Sequence, residues 1–122
     1  MKPLAWTNLI PHSWEMKPLR AVADYLVSNV DKIQADDEEQ VRLCNYTDVY
    51  NNEFITLDID FMQATATKIE ILKFRIAVDD VLITKDSESW DDIGVPALVR
   101  ETASDIVCGY HLALLRPRKQ CI

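Results

Sequence analysis

Glycine is scarce in this chain, and its scarcity excludes two classes of nucleotide-binding protein. Only Gly94 and Gly109 occur among the 122 residues. The dinucleotide-binding fingerprint and the phosphate-binding loop both need several closely spaced glycines, because the backbone must approach the phosphates without a Cβ in the way. We therefore expect no nucleotide or S-adenosylmethionine cofactor on this chain itself, and no other cofactor is predicted.

Cysteine is also sparse, and its spacing argues against both disulfides and a metal centre. The three cysteines, Cys44, Cys108 and Cys121, include no C-x-x-C pair. An odd number without paired spacing fits reduced thiols better than a disulfide framework or a zinc site. Free cysteine is among the most buried residue types, so we predict that Cys44 and Cys108, which lie in apolar runs, are small core residues. No metal site is predicted.

Long apolar runs are absent as well. No segment approaches the roughly 18 consecutive apolar residues of a membrane-spanning helix. No secretory segment of about 7–15 apolar residues follows the N-terminal Met-Lys-Pro. With 48% hydrophobic and 27% charged residues, the composition is that of an ordinary globular chain, and its length allows one domain. The expectation is a cytoplasmic location without a membrane partner.

The chain also lacks the positive charge that usually marks a nucleic-acid-binding domain. Its 13 Lys and Arg residues face 20 Asp and Glu residues, which gives a net charge of −7. Non-specific DNA affinity comes from cations that displace phosphate counterions, so charge alone argues against DNA binding. The acids concentrate at residues 36–39 and 86–92, however. After Asp105 the only charged residues are Arg116, Arg118 and Lys119, which can form a local basic surface.

Catalytic groups have only weak candidates. Cys108 and His111 are three residues apart, and in one extended strand that spacing places their side chains on opposite faces. Carboxylate pairs such as Asp91 with Asp92 arise by chance in an acidic chain. We therefore expect no enzymatic activity of the chain's own, with a cysteine-dependent hydrolase, a nuclease or a glycosidase as alternatives.

Hydrophobic patterning predicts an α+β fold, a single compact domain with a twisted β-sheet and a few short helices. Apolar spacing predicts a helix over residues 18–25, and a second, amphipathic helix over residues 65–74 that uses Ile69, Leu72 and Phe74. Short apolar or β-branched runs predict strands. These are residues 41–44, 81–84, 97–99 and 106–115, the last interrupted by a bulge or bend at Gly109.

Two polar segments follow predicted strands directly, and they are the candidate recognition elements. Residues 45–48 (NYTD) follow one strand, and residues 85–88 (KDSE) follow another. Loops at strand ends commonly present binding groups. Lys, Asn, Thr and the acids are the side chains that read guanine, adenine, thymine and cytosine edges. The structural alternatives are an Asx turn that caps the strand at residues 45–48, a solvated surface position for Lys85, and a partly buried, satisfied position for His111.

Four segments, in one order, carry a family resemblance. They are residues 10–15 (IPHSWE), 43–50 (LCNYTDVY), 80–87 (DVLITKDS) and 108–112 (CGYHL) running on to Arg116 and Pro117. Together they resemble the N-terminal target recognition domain of type I restriction-modification specificity subunits. Such subunits commonly begin with an I-P-x-x-W-like segment and a short K-x-L stretch. Those positions are reproduced here by Ile10, Pro11, Trp14, Lys17 and Leu19.

One departure from the family pattern lies just before the third segment. Recognition domains of this family carry a G-D-v-L-i-t-k-like strand, which residues 80–85 match with Asp79 in place of the usual Gly. Gly allows a positive φ that Asp tolerates less well, so the geometry of this turn is in question. The resemblance covers most of residues 10–117.

The resemblance implies a function in DNA recognition. A typical specificity subunit has two recognition domains, each reading half of a bipartite site, separated by long helices that hold the modification subunits. Residues 1–122 are then expected to be a partial recognition domain, with a family-like core at 10–117, from a truncated reading frame or a fragment. The implied partners are double-stranded DNA and the modification (methyltransferase) and restriction subunits, which carry the chemistry that uses S-adenosylmethionine and ATP.

The candidate contacts combine the polar segments with this resemblance. Base contacts are predicted first for Lys85, Ser87 and Glu88, then for Asn45, Thr47 and Tyr110. Phosphate contacts are predicted for Arg116, Arg118 and Lys119. The alternative, which the acidic charge favours, is a protein-interaction module or non-functional remnant that binds modification subunits without reading DNA.

Overall fold

The structure is a computed structural model, and it describes residues 11, 13, 17–31, 33–85 and 90–118. Within these residues the strands form one five-stranded and one three-stranded sheet, joined by three short helices. The elements in chain order are α1 (Leu19–Val22), β1 (Ala23–Val27), β2 (Glu39–Cys44), α2 (Tyr46–Asn51), β3 (Phe54–Ile55), β4 (Met62–Ala66), α3 (Lys68–Phe74), β5 (Val81–Thr84), β6 (Pro96–Val99), β7 (Ile106–Cys108) and β8 (Leu112–Pro117).

The larger sheet has the strand order β1-β8-β5-β6-β3. Strand β8 pairs antiparallel with β1 on one side and with β5 on the other. Strand β5 also pairs antiparallel with β6, which pairs parallel with the short β3. Because β8 has a neighbour on each side, its backbone polar groups are satisfied inside the sheet.

The smaller sheet has the order β4-β2-β7. Strand β2 is antiparallel to β4 and parallel to β7, with Cys44 opposite Cys108. The start of the parallel pair is fixed by Arg42, whose side chain donates two 2.8 Å hydrogen bonds to the carboxylate of Asp105. Strands β2 and β7 therefore end side by side.

The smaller sheet is buried on both faces, because successive residues of its strands enter two different core clusters. One face packs toward α3, and the other packs toward the larger sheet. The first cluster contains Val30, Val41, Leu43, Ala64, Ala66, Phe74 and Val107. The second contains Cys44, Val49, Ile55, Phe61, Ile76, Leu82, Ala97, Val99, Ile106, Cys108, Leu112 and Leu114. The α+β prediction is confirmed, as are the strands predicted at residues 41–44, 81–84 and 97–99.

The helix predicted over residues 18–25 is mostly wrong. Only Leu19–Val22 is helical, with Pro18 as the N-cap, and the chain then enters β1. Tyr25 pairs with Leu115 of β8. Pairing with an apolar central strand outweighs the helical spacing of a short segment, since most helix stability in proteins comes from packing rather than from local preference.

The second predicted helix exists but presents a different face. Strand β4 continues through Ala66, so α3 begins only after its N-cap Thr67, whose hydroxyl accepts a hydrogen bond from the Glu70 N–H. Phe74 is buried as predicted. Ile69 and Leu72, which the prediction placed on the apolar face, are 77% and 69% exposed.

The strand predicted over residues 106–115 is two strands in different sheets. Strand β7 ends at Cys108, and β8 begins at Leu112. Between them, the Gly109 N–H donates to the Cys44 carbonyl and the Tyr110 N–H donates to the Val30 carbonyl, each at 2.9 Å. These bonds hold the turn against the smaller sheet. The predicted bend at Gly109 is confirmed, but it is a full change of sheet.

The turn before β5 shows the backbone geometry of Asp79, at the position where the resemblance led us to expect a glycine. Asp79 has φ = 77°, in the left-handed region that favours glycine. Its N–H donates a 2.9 Å hydrogen bond to the Val99 carbonyl. The turn thus keeps a glycine-like geometry, since Asp is among the residues that adopt it most readily.

Candidate functional site

Three strand ends meet at one end of the two sheets. Strands β2 and β7 stop together, and the Gly109 N–H bonds the Cys44 carbonyl at that point. Strand β5 stops at Thr84, opposite Leu112, and the Lys85 N–H donates a 3.2 Å hydrogen bond to the His111 carbonyl. The segments that follow β2, β5 and β7 are therefore neighbours, although they are far apart in the chain.

The segment after β2 is a helix, so the prediction of a polar loop at residues 45–48 is wrong. Asn45 is the N-cap of α2, and the Asp48 carboxylate accepts a 2.9 Å hydrogen bond from the Asn45 N–H. This reciprocal capping satisfies donors that the first helical turn leaves free. The Asn45 amide nitrogen also approaches the Met62 sulfur at 3.5 Å, and Thr47 is exposed on the first turn. Burial raises the pKa of Asp48.

Gly109 allows the close approach of two of these strand ends. A Cβ placed on it would lie 2.9 Å from the Cys44 carbonyl oxygen and 3.4 Å from the Asn45 side-chain oxygen. The first distance is shorter than a carbon–oxygen contact tolerates, and the atom it meets is backbone. The site therefore needs a residue without a side chain here.

After β5, a short 3₁₀ turn at Trp90–Asp92 folds back onto the strand end through Thr84. Thr84 is fully buried, and its hydroxyl donates to the Asp92 carbonyl at 2.6 Å and accepts from the Val95 N–H at 2.9 Å. The Gly94 N–H donates to the Thr84 carbonyl at 2.7 Å. One threonine thus holds the C-terminal end of the turn and the residues that follow it.

Aromatic side chains link the turn to α2. The Asp92 carboxylate is hydrogen-bonded with the Tyr50 phenol, and this bond raises the pKa of Tyr50. The Tyr50 ring stacks on Tyr46, with centroids 5.7 Å apart. On the other side, Tyr110 lies against His111 at a centroid distance of 3.8 Å.

We name this set the strand-end rim. Each part contacts the next: the end of β2 contacts Gly109, the 109–111 turn contacts Lys85, Thr84 contacts the 3₁₀ turn, and that turn contacts α2. Its side chains combine hydrogen-bonding groups, aromatic rings and both signs of charge. The members are Asn45, Tyr46, Thr47, Tyr50, Lys85, Trp90, Asp91, Asp92, Tyr110 and His111.

The predicted base contacts and phosphate contacts separate in the structure. Asn45, Thr47, Lys85 and Tyr110 all belong to the rim. Arg116 lies four residues along β8 from Leu112, about 13 Å away at the rise of a strand. The predicted contacts Ser87, Glu88 and Lys119 lie outside the described residues.

Both arginines that were predicted as phosphate contacts, Arg116 and Arg118, have roles within the fold. Arg116 holds the buried Asp80 carboxylate and donates a 3.0 Å hydrogen bond to the Arg75 carbonyl. Arg118 donates to the Ala21 carbonyl at 3.1 Å and contacts Asp24 at 3.5 Å. Their positions are explained without a phosphate partner.

Sequence reasoning missed Trp90, Tyr50 and Asp92. Residues 86–92 stand out in the sequence only as a concentration of acids, and no local pattern pairs Tyr50 with a residue so distant in the chain. The available signal was a tryptophan placed inside an acidic run, where a large apolar side chain is unexpected.

The two cysteines among the described residues are buried thiols that resist ionisation. Burial raises the pKa of the Cys108 thiol to about 12, and it also raises that of Cys44 well above its usual range. Both are buried and reduced, as predicted, and both thiols stay protonated at neutral pH. Within the described ranges, no group of three or more His, Cys, Asp or Glu side chains is arranged to hold a metal ion. No helix there is both long and apolar enough to cross a membrane.

No protein-family model matches the chain, and no curated protein matches it either.

Proposed function

We propose that this chain recognises duplex DNA sequence-specifically, as all or part of a target recognition domain of a type I restriction-modification specificity subunit. In this role it catalyses nothing itself and directs methylation and cleavage by cytoplasmic modification and restriction subunits. One observation carries the proposal. Asn45, Lys85 and Tyr110, which belong to three separate family-like segments, lie on one rim because three strand ends meet there.

The rim offers the chemistry that base reading needs. Lysine donates to the O6 and N7 acceptors of guanine, asparagine bonds adenine at N6 and N7, and threonine packs its methyl against that of thymine. These groups project from the ends of paired strands and the first turn of a capped helix. Rigid supports of this kind hold side chains in the register that discrimination between bases requires.

The charge distribution supports different DNA contacts for this chain and for its partner subunits. Lys85 is the rim's lysine, whereas Asp91 and Asp92 would repel phosphate. The described arginines of β8 and the residue after it are bonded to acids at the other end of the strand. Because the rim has so few cations, phosphate contacts in the bound complex come from partner subunits. The rim then contacts the base edges.

The proposal is tested by methylation in cells. The chain is co-expressed with a modification subunit from its own locus, and the host genome is sequenced for modified bases. A new methylated motif is expected, which a Lys85→Ala variant weakens or alters. Soluble chain that co-purifies with the modification subunit but yields no methylated motif contradicts DNA reading.

One observation favours the alternative, a protein-interaction module. Ile69 and Leu72 of α3 are largely exposed, and α3 adjoins the start of β2, at the opposite end of that strand from the rim. An exposed apolar pair suits a protein partner better than DNA. If Ile69→Ser with Leu72→Ser abolishes binding to the modification subunit while no duplex is bound by the wild type, the alternative replaces the proposal.

A further inference from the structure

Strand β1 is an edge of the larger sheet, and its outer side has no neighbouring strand among the described residues. It pairs with β8 on one side only. Its residues Tyr25 and Val27 are 61% and 46% exposed, although both side chains are large and apolar. An edge strand presents a row of N–H and C=O groups that another strand can satisfy. The chemistry of this edge therefore suits an extended strand as its partner.

The ladder with β8 shows which backbone groups of β1 face outward. The Arg118 N–H donates a 2.8 Å hydrogen bond to the Val22 carbonyl. In an antiparallel ladder, residues that bond the neighbouring strand alternate with residues that do not. The even-numbered residues of β1 therefore bond β8. The N–H and C=O groups of Tyr25 and Val27 point away from β8, toward the open side.

The other sheet edges of the described chain are shorter or partly occupied. Strand β3 has only two residues. Beside β4, the Gln34 side chain donates a 3.3 Å hydrogen bond to the Gln63 carbonyl. Beside β7, the Ile76 N–H donates a 3.1 Å hydrogen bond to the Ile106 carbonyl. Strand β1 is thus the longest edge that is left open within the described ranges.

The sequence of β1 is complementary to itself. When two copies of β1 lie antiparallel with Tyr25 opposite Val27 of the second copy, both residues use their outward N–H and C=O groups reciprocally. Each such pair also joins an aromatic and a β-branched side chain, a combination that stabilises neighbouring strands. Asp24, the one charged residue of β1, then lies opposite Ser28 of the second copy. No like charges face each other in this register.

Two neighbouring registers satisfy the strand less well. With Tyr25 opposite Tyr25 of the second copy, Val27 would need the Ala23 N–H, which already donates to the Leu19 carbonyl at the end of α1. With Tyr25 opposite Ala23, the two Asp24 carboxylates would lie directly opposite each other. Like charges in that position destabilise strand pairing. The edge therefore selects both its partner strand and the register.

We propose that this chain forms a homodimer in which the β1 strands of two copies pair antiparallel, with Tyr25 opposite Val27. The interface is isologous, because the same strand contributes from both copies. It joins the two larger sheets into one continuous sheet. Pairing through β1 is independent of DNA recognition, since β1 contributes no residue to the strand-end rim. A five-residue edge buries little area, so the dimer is weak and forms at high protein concentration.

The first test measures association by sedimentation velocity over a wide range of concentrations of the purified chain. The wild type is expected to shift from monomer to dimer as its concentration rises. Tyr25→Asp and Val27→Asp should each weaken the dimer about tenfold, because each change removes two symmetric side-chain pairs and adds carboxylates to the edge. Ile69→Asp is the matched control, since Ile69 is also exposed and apolar but lies on α3. It should leave association unchanged.

The second test measures the register by disulfide cross-linking. Tyr25→Cys and Val27→Cys are made in a Cys121→Ser background and oxidised with glutathione disulfide, separately and as a mixture. The Cα atoms of a hydrogen-bonded antiparallel pair are about 5.5 Å apart, within the range that a disulfide spans. The mixture should therefore form a cross-linked heterodimer far faster than either variant alone forms a homodimer. Far-ultraviolet circular dichroism establishes that each variant is folded.

Each outcome supports or overturns the proposal. Concentration-dependent dimers that both Asp variants weaken, together with cross-links confined to the mixture, support it. A chain that stays monomeric and gives no cross-link in the mixture overturns it. A dimer that neither Asp variant weakens lies elsewhere on the molecule and also overturns it. Cross-links that form as fast in Tyr25→Cys alone as in the mixture show that the register is wrong.

Discussion

Arg116 holds the buried carboxylate of Asp80 through two hydrogen bonds, from Nε at 2.9 Å and from Nη2 at 2.8 Å. Asp80 is only 1% exposed, and the same carboxylate accepts a 2.8 Å hydrogen bond from the Ala77 N–H. The pair ties the turn before β5 to the far end of β8. It thus fixes two strands whose other ends form the rim.

Loss of Arg116 should therefore destabilise the fold. Arg116→Met leaves an unpaired buried carboxylate, and we expect the free energy of unfolding to fall by about 3 kcal/mol. Arg118→Met removes an exposed pair with Asp24 and should cost no more than about 1 kcal/mol. Urea denaturation of both variants gives the comparison. Equal losses would show that Arg116 has no special structural role.

The Arg42–Asp105 pair should make stability depend on pH in the acid range. The hydrogen bonds from Arg42 lower the pKa of Asp105 below its ordinary value of 3.8. A carboxyl group whose pKa is lower in the folded state than in the unfolded state stabilises the fold. This stabilisation is complete above the unfolded-state pKa and is lost as the pH falls through the folded-state pKa. The stability difference between wild type and Asp105→Asn should therefore be largest above pH 3.8 and shrink on acidification.

Asp48 should give stability the opposite dependence on pH, and it therefore serves as a control. Burial raises its pKa above the ordinary 3.8, so its charged form is disfavoured in the folded state. Relative to Asp48→Asn, the wild type should lose stability as the pH rises from 3.8 through the raised folded-state pKa of Asp48. Denaturation series over the acid range give both differences, and parallel curves for the two aspartates would contradict the assignments.

Gly109 should tolerate no side chain. In Gly109→Ala the new Cβ would press on the Cys44 carbonyl, so we expect a loss of about 1–3 kcal/mol from strain between two strand ends. Gly94→Ala is the matched control, because Gly94 has φ = 84° but open space around it, and only the backbone cost of about 1–2 kcal/mol applies. The two variants should also differ in DNA binding. Gly109→Ala should also impair DNA binding, since it moves the rim, whereas Gly94→Ala should affect binding less.

Asp79 should accept glycine and reject a β-branched residue. At φ = 77°, Asp79→Gly relieves backbone strain but adds freedom to the unfolded chain, so stability should change by less than about 1 kcal/mol. Asp79→Val should cost about 2 kcal/mol, because its branched Cβ fits the left-handed region poorly. Thermal unfolding distinguishes the two, and a harmless valine would refute the positive φ.

Part of the fold could be predicted from sequence, where the signal is local. The strands at residues 41–44, 81–84 and 97–99 are short β-branched or apolar runs, and they form as expected. The predictions for residues 18–25 and 106–115 failed for the same reason. Pairing between distant parts of the chain decides the structure of both segments: Tyr25 pairs with Leu115, and Gly109 bonds the end of β2. Local periodicity carries no information about either partner.

The candidate site shows the same limit. Asn45, Lys85 and Tyr110 were predicted as contacts one segment at a time, and the topology gathers them. Arg116 was predicted as a phosphate contact from charge, but its partner Asp80 is invisible to any local pattern. Tyr50 and Asp92 were missed because the contacts that place them, the Thr84–Asp92 hydrogen bond and the Tyr50–Asp92 bond, join residues far apart in the chain.

Lys85 should be a direct DNA contact. Lys85→Ala is expected to weaken binding by about 1–3 kcal/mol if Lys85 reads a guanine, or to reduce the salt slope by about one unit if it holds a phosphate. Lys68→Ala is the control, since Lys68 lies on α3 beside Glu39, at the far end of β2. Fluorescence anisotropy at several salt concentrations measures both quantities. No change in either would remove Lys85 from the interface.

The most direct measurement of DNA recognition is enrichment of duplexes from a random library by the purified chain, alone and in complex with a modification subunit. The structure and the family-like segments together lead us to expect one recurrent motif, which the complex selects more strongly than the chain alone and which Lys85→Ala weakens or changes. A folded chain that binds the modification subunit but enriches no motif in either form would contradict sequence-specific recognition.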